Sequence, residues 1–486
     1  MPTLDYRSTI HVPADELFAW HLRPGAFERL VPPWDATRVA RRSGRLEDNT
    51  MTVDLSVPLA PGVRGTWKVR HDSFAAGHRF RDVMTKGPFR TWEHTHLVSL
   101  ALGGDGSSEL HDSIKFALPA GALGAAVGGP IVRGRLDDTF AYRHAVTASD
   151  LEAHARARAV LPTELQGRAL RIAVTGATGL IGSALWAYLT TAGHDVVPIV
   201  RRGSGSASAG PWSTYELGDD VAPIEWDPTR VNDAFDAAAL ARLEGLDAIV
   251  HLAGEPLLGR WTDDKRARVL DSRRAGTAAI AAAIAGLAKP PRVLVSASAI
   301  GAYGDRGEEE LSDDAAYGHG FLSDVARAWE AAAAPANAAG VRVVFARTGL
   351  VLTPAGGALA PLRRATGFGA GGPLGSGKQW WSWISLDDEL SALEWLICCD
   401  ELRGPVNLVG REPARMKFVA RALGKVLRRP AVAPAPAPVL RAVLGRDVAD
   451  EMLLASQKVV PNALEQSGFV WRDVELEPTL RRLLGK

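Results

Sequence analysis

Hydrophobic and polar positions along the 486-residue chain follow two different rhythms. Up to about residue 150, short alternating runs at 49–57 and 90–100 read as half-buried strands between turns, and residues 13–23 and 131–154 carry helical spacing. This mixture predicts an α+β first domain over residues 1–152. Residues 153–168 are charged, begin as helix and end near Leu161-Pro162, which marks them as a connector. From Arg171 onward apolar strands alternate with helices: RIAVTG, a helix over 180–192, DVVPIV, AIVHLAG, a helix over 263–286, VLVSAS, a helix over 321–339, and VRVVFART. That alternation predicts an α/β doubly wound parallel sheet over residues 169–486. The Ala/Pro run at 430–438 reads as a stiff spacer or irregular loop, and the helical tail beyond it, about 438–486, is expected to pack back on the sheet.

Composition narrows the class. With 47% hydrophobic and 23% charged residues the chain is neither disordered nor low in complexity. Lys and Arg total 56 against 55 Asp and Glu, so no net positive field attracts a phosphate backbone, and nucleic acid is not an expected partner. The two cysteines are the neighbours Cys398 and Cys399, too few for a disulfide framework. The N-terminus lacks the basic start and apolar run of a signal peptide, and together these features predict a cytoplasmic protein. Residues 116–132 are uncharged, but Pro119, Pro130 and four glycines argue against a membrane span.

The strongest local chemistry lies at residues 175–182, TGATGLIG. It follows a predicted strand and opens a predicted helix, the context that turns a glycine pattern into a nucleotide site. Gly176, Gly179 and Gly182 allow a tight turn, close approach to a pyrophosphate and close helix packing, while Ala177, Thr178, Leu180 and Ile181 complete the loop and the helix N-terminus. After the second strand come Arg201 and Arg202, where an acid would receive the ribose hydroxyls of NAD. Arginines there favour the 2′-phosphate of NADP over NAD; the other reading is a pair of solvated loop charges.

The stretches IAVTGATGLIG, VHLAGEPL with RWTDDKR, SASAIGAYG, FLSDVARAWE, RTGLVL, GGPLGSGKQWWSWISLDD and LLASQKVVPNALEQSGFVW resemble the atypical short-chain dehydrogenase/reductases of the SDR39 NAD-dependent epimerase/dehydratase family. The likeness covers about residues 170–484. It implies a Rossmann fold in which Gly176, Gly179 and Gly182 bind pyrophosphate, Arg201 selects the phosphate-bearing cofactor and Asp227 faces adenine. It also implies that His251, Leu252, Ala253 and Gly254 form the loop behind the nicotinamide ribose, that Ser298 is the catalytic serine, and that Arg347 and Asp387 are architectural.

One expected pair is missing. Hydride transfer at a carbinol needs a proton-exchanging group, in this superfamily a tyrosine assisted by a lysine four residues on. Here that place reads FLSDV, and no lysine lies between Lys289 and Lys378. Tyr303, near Ser298 at the end of a strand, is the available substitute acid/base; packing beneath the cofactor loop is its other reading. The loop 371–383 joins glycines to Lys378, Gln379 and tryptophans, either as a closing lid or as a structural flap. Ser385 stands where relatives more often show histidine.

Residues 3–152 resemble a START-like domain of the polyketide cyclase and lipid-transport (SRPBCC) superfamily, on the early strand LDYRSTI, then VPADELFAWHLRPGAFERLVPPW, GPFRTWEHTH and LDDTFAYRHAVTASDL. The resemblance implies a helix-grip fold, a curved antiparallel sheet around a long helix, with room for an apolar ligand. Trp92, His94 and His96 share one strand face, with no Cys or carboxylate evident nearby to complete a metal site. His71, His111 and His144 have no assigned role. Two functions remain open: an NADP-dependent oxidoreductase or sugar-nucleotide-type epimerase/dehydratase homologue acting on a small molecule and fused to an apolar-ligand domain, or a non-catalytic NADP-binding sensor.

Overall fold

The computed structural model describes residues 2–60, 62–101, 106–205 and 209–486. Its N-terminal half is one antiparallel sheet. Strands β1 (Thr3–Ile10), β2 (Arg38–Ser43), β3 (Thr52–Ala60), β4 (Val63–Ala75), β5 (Arg79–Lys86), β6 (Thr91–Leu100) and β7 (Ser108–Ala117) are ordered β1-β7-β6-β5-β4-β3-β2. Two short helices, α1 (Ala14–Leu22) and α2 (Ala26–Leu30), fill the crossing from β1 to β2. Strand β6 alternates as its sequence predicts, burying Trp92, His94, His96 and Val98 on one face. Phe140 of the long helix α3 (Gly121–Ala159) covers that face, stacking on Tyr6 at 4.8 Å.

Helix α3 is longer than the pattern of 131–154 predicts. It begins in the glycine-rich segment and runs through Pro130, where weak helix formers erase the periodic signal. Its end also takes in the start of the connector, because residues 153–159 are still helical, and Ala157, Leu161 and Leu165 join the core of the second half.

That second half is a seven-stranded parallel sheet. Strands β8 (Arg171–Thr175), β9 (Asp195–Arg201), β10 (Ile224–Trp226), β11 (Ala248–His251), β12 (Val293–Ala299), β13 (Arg342–Thr348) and β14 (Gly404–Leu408) lie in the order β10-β9-β8-β11-β12-β13-β14. This is the Rossmann order, with its switch point between β8 and β11. Ile172, Val174, Ile249, Leu294 and Val295 are fully buried, as expected of strands covered on both faces. Helices α4 (Leu180–Thr191), α5 (Asp263–Gly286), α6 (Phe321–Ala331) and α7 (Leu386–Cys398) supply those covers, with α8 (Met416–Leu427) and α9 (Leu476–Leu484) beyond them. The single helix expected over 321–339 is two, Phe321–Ala331 and Ala334–Ala338; Pro335 cannot donate to the preceding turn. The tail packs back as expected, placing Leu480, Leu483 and Leu484 against Leu423, Val426 and Trp383.

The halves meet through buried charge. Arg29 of α2 donates to both oxygens of Asp150 on α3, at 2.7 and 2.8 Å, and also to Asp387 of α7 at 2.8 Å. Asp387 accepts in turn from Arg482 of α9 at 2.6 Å. Burial by itself raises the Asp387 carboxyl, but Arg29, Arg482 and Arg472 outweigh it and hold the group well below the ordinary carboxylate range. A second pair crosses the same seam: His154 of α3 lies 2.8 Å from Glu394 of α7. Nearby, Tyr215 donates to Glu28 at 2.6 Å, and the Arg42 guanidinium sits 3.8 Å over the Tyr215 ring.

Replacing Arg29 with Met leaves the buried Asp150 without its guanidinium and takes one of several from Asp387. Removing one partner of a buried pair typically destabilises by about 3–5 kcal/mol. Urea unfolding of Arg29→Met at neutral pH is expected to show a loss of that order, and a loss below about 1 kcal/mol would mean that the seam is held by other contacts. Because the native Asp387 pKa is depressed, the stability that ion pair contributes is present above the unfolded value of 3.8 and disappears as pH falls below it.

Candidate functional site

The glycine loop has the geometry its sequence predicts. Gly176 takes a left-handed φ of +66°, and a Cβ there would lie 2.8 Å from the Leu252 carbonyl carbon. A Cβ on Gly182 would reach 2.3 Å from the Gly176 oxygen, so only glycine lets α4 sit this close to the loop. Gly179 is the N-terminal cap of α4, and around it a Cβ would meet only the Gly176 oxygen at 3.1 Å. Ala177 and Thr178 fill the turn between them, and Leu180 and Ile181 begin the helix. The loop thus keeps open space at a helix N-terminus, the arrangement that receives a pyrophosphate.

The loop after β11 is tied to it through Thr175. The Thr175 hydroxyl oxygen accepts from the amides of Leu252 and Ala253 at 3.1 and 3.2 Å, so its one proton goes to His251 Nδ1, 2.8 Å away. His251 therefore carries its proton on Nε2, which is buried without a partner. Burial, with the Arg273 charge, pushes its pKa down to about 3 and keeps the ring neutral. Gly254 gives room to Arg273, whose guanidinium carbon would lie 3.2 Å from a Cβ there. Arg273 donates to the Glu255 carbonyl at 2.9 Å and stacks 4.8 Å over the Trp329 ring.

At the far edge Arg201 ends β9 beside Trp226, which precedes Asp227. Both Arg201 and Arg202 are exposed; Arg202 pairs with Asp236 at 3.4 Å. Asp227 spends one oxygen on the amide and hydroxyl of Thr229, at 3.0 and 2.7 Å, and those bonds lower its pKa. The structure thus gathers the glycine loop, the 251–254 loop, Arg201, Arg202 and Asp227 along one carboxyl edge of the sheet.

Ser298 and Tyr303 lie at and just beyond the carboxyl end of β12, but their hydroxyls are engaged by the protein. Ser298 donates to Glu330 of α6 at 2.7 Å. Tyr303 is fully buried, with its oxygen 2.6 Å from Asn407 Oδ1, 3.1 Å from the Ser312 carbonyl and 3.0 Å from an Arg347 donor. Arg347 grips both Glu330 oxygens at 2.9 Å, and Tyr317 donates to the same carboxylate at 2.5 Å. Burial raises the Tyr303 phenol above its ordinary value, the opposite of what a phenolate relay requires.

A cavity of about 180 Å³ opens beyond the ends of β12 and β13. Ile300, Leu322, Trp329, Trp380 and Trp381 make its apolar wall, and Arg273, Thr348, Glu451 and Gln457 supply polar atoms; neither Ser298 nor Tyr303 lines it. Trp380 and Trp381 come from the loop 371–383, which is pinned rather than loose: Gln379 donates to the Leu374 and Leu453 carbonyls at 3.1 and 3.0 Å. Ser385 caps α7 by accepting from the Asp388 amide at 3.1 Å.

Sequence reasoning missed Glu330, Glu389 and Arg273. Glu330 follows Trp329 on the buried face that Val325 and Ala326 define, and a charge on an apolar helical stripe is the signal that marks it. Glu389 sits in an acidic first turn that reads as ordinary helix capping. It is nonetheless buried, accepting from Thr348 at 2.8 Å, and burial pushes its pKa up to about 8.

Comparison with known proteins agrees with this geometry. Residues 172–403 match the NAD dependent epimerase/dehydratase family, and residues 435–483 match a domain of unknown function, DUF1731. An epimerase family protein of Mycobacterium bovis is 39% identical over 301 residues, 61% of this chain and 92% of that protein. The crystal structure of a nucleoside-diphosphate sugar epimerase from Corynebacterium glutamicum superposes with a TM-score of 0.76 at 31% identity, covering 99% of this chain and 90% of that one. The human epimerase family protein SDR39U1, solved with NADPH, is 30% identical with a TM-score of 0.56 over 65% of this chain and 99% of its own. The fold and site define a Rossmann nucleotide-binding protein. Within that class, the chain belongs to the epimerase family that includes SDR39U1.

Glu389 gives the site a pH signature. Its native pKa is raised from 4.5 to about 8, so the carboxyl is neutral in the fold at pH 7, and the associated stability is present below about 4.5 and lost as pH rises through 8. Glu389→Gln, which keeps an acceptor for Thr348, is expected to match the wild type near pH 5 and exceed it in stability near pH 9. The gain should be on the order of a few kcal/mol. Urea midpoints across pH 5 to 9 measure it; parallel curves for the two proteins would refute the assignment.

Proposed function

We propose that the C-terminal half binds NADP(H) and transfers hydride to or from a small, largely apolar carbonyl or alcohol held in the 180 Å³ cavity. The observation that carries this reading is the shared wall between the two places: Arg273 packs on Gly254 of the cofactor loop and lines the cavity. The cavity lies below the range of about 300–1,000 Å³ typical of drug-sized ligands, which favours a small substrate over a nucleotide sugar. Gly176, Gly179 and Gly182 would hold the pyrophosphate, and Arg201 and Arg202, exposed at the end of β9, the 2′-phosphate. Bound there, the nicotinamide supplies the hydride. Thr348 lines the cavity and links it to the neutral Glu389 carboxyl buried behind it, and we assign that pair the proton-handling role in place of Ser298 and Tyr303, which position Glu330 and Arg347. The N-terminal half, START-like in sequence and built as an antiparallel sheet beside a long helix, is read as a small-molecule binding module.

A second reading, an NADP-binding sensor without turnover, is favoured by the engaged Tyr303 hydroxyl and the absence of a nearby lysine. Single-turnover oxidation of bound NADPH against a carbonyl panel separates the two.

The cofactor assignment is tested by calorimetric titration of NADPH and NADH into wild type and the double variant Arg201→Ala, Arg202→Ala. Charge-assisted hydrogen bonds contribute about 1.5–3 kcal/mol each, so NADPH affinity should fall by about tenfold or more while NADH affinity stays nearly constant. Equal losses for both cofactors would show that the arginines do not read the 2′-phosphate.

A further inference from the structure

The buried face of the N-terminal sheet holds a group of side chains that the nucleotide site does not use. Cross-strand register sets Asp82 of β5 opposite His71 of β4 and His94 of β6, and His96 opposite Asp112 of β7. The carboxylate next to His94 along the chain, Glu93, lies on the opposite face of β6; the sheet supplies two from neighbouring strands. His94 Nδ1 and His96 Nε2 each lie 3.7 Å from the same atom, Asp82 Oδ2. One donor atom from each of the three residues falls within 4.8 Å of the others.

The surroundings orient these donors. His94 Nε2 hydrogen-bonds Asp112 Oδ1 at 2.9 Å, and His144 from α3 bonds the other Asp112 oxygen at 2.8 Å. With its Nε2 engaged by Asp112, His94 presents its other ring nitrogen, Nδ1, toward Asp82. A carboxylate behind a histidine is how proteins fix the tautomer of a metal ligand. Two contacts are close but out of line for hydrogen bonding: His96 Nδ1 is 2.7 Å from Asp112 Oδ1, and Asp82 Oδ1 is 2.8 Å from His71 Nε2, yet both atoms are buried without a hydrogen bond.

We propose that Asp82, His94 and His96 bind one divalent transition-metal ion, with Asp112 holding the histidines in place from behind. Zinc bonds to nitrogen and oxygen of about 2.0–2.1 Å separate donors in a tetrahedral site by about 3.4 Å. The two Asp82–histidine spacings of 3.7 Å close with shifts of a few tenths of an ångström, and the two histidine donors, within 4.8 Å of each other, draw together by side-chain rotation. Imidazole and carboxylate ligands suit zinc or iron rather than calcium or magnesium. The Asp82 side chain keeps 20% exposure, so the cluster has an opening to solvent, and a fourth position remains for water or a ligand of the N-terminal half.

The test uses the full-length protein stripped with chelator, then titrated with Zn²⁺ against a chromophoric competitor and with Co²⁺ by visible spectroscopy. The wild type should bind one Zn²⁺ per chain and give nitrogen/oxygen ligand-field bands with Co²⁺. Affinity should fall at least about a hundredfold in His94→Gln, His96→Gln and Asp82→Asn, and about 10- to 100-fold in Asp112→Asn. His111→Gln, which alters an outlying histidine paired with Asp5, should bind as the wild type does. Wild-type protein that takes up no Zn²⁺, or ligand variants that bind as well as wild type, would overturn the site and leave a proton as the bound cation. Where circular dichroism shows a variant to be unfolded, the wild-type Co²⁺ spectrum decides: absence of ligand-field bands refutes the proposal.

Discussion

A guanidinium with almost no contact with water sits where the two halves meet, and the rest of the architecture is arranged around its charge. Arg29 is buried, and a buried charge is tolerated only when paired and fully hydrogen-bonded. Asp150 meets that need from the first half and Asp387 from the second. Asp387 belongs to the first turn of α7, the helix that also carries Glu389 to the cavity-lining Thr348 and Glu394 to His154. Through Arg482 the same carboxylate fixes α9, and a Cβ on the adjoining Gly485 would lie 2.7 Å from the Trp34 ring of the first half. One ionic cluster therefore sets the position of the N-terminal sheet, a helix behind the cavity and the C-terminal tail.

A second buried charge organises the nucleotide-binding half: Glu330 receives Arg347, Ser298 and Tyr317, and Arg347 reaches on to Tyr303. A carboxylate that accepts this many donors is stable in the interior; the Ser298 hydroxyl donates to it, while Tyr303 donates to Asn407. The neutral carboxyl is Glu389, which accepts from the cavity-lining Thr348 and is raised by burial where no cation offsets it. The two buried glutamates differ in their neighbours, and that difference separates a scaffold from a group able to exchange a proton.

Local signals carried much of this into the sequence. Gly176 and Gly182 were legible because strand, glycine spacing and helix occur in order along the chain, and the parallel sheet was legible from its apolar runs. Alternation placed Trp92, His94 and His96 on one face. The rest depends on contacts that sequence order hides. Asp82 meets His94 through strand register, which no local pattern prints. Glu389 looks like a capping acid until burial is known, and Arg29 looks like one more surface arginine until Asp150 and Asp387, 121 and 358 residues away, close on it. Tyr303 was singled out for its place at a strand end, a criterion blind to the Asn407 and Arg347 side chains that claim its hydroxyl. The long helix α3 was foreshortened because its opening turns use glycine and proline.

If buried charge at this seam makes the two halves one folding unit, scanning calorimetry of the full chain is the most direct test. The account predicts a single transition at neutral pH whose calorimetric and van't Hoff enthalpies agree, because losing the partner half takes from Arg29 one of its two carboxylates, from Asp387 one of its guanidiniums, and from Glu394 the ring of His154. Two resolved transitions, or a van't Hoff enthalpy well below the calorimetric one, would contradict it.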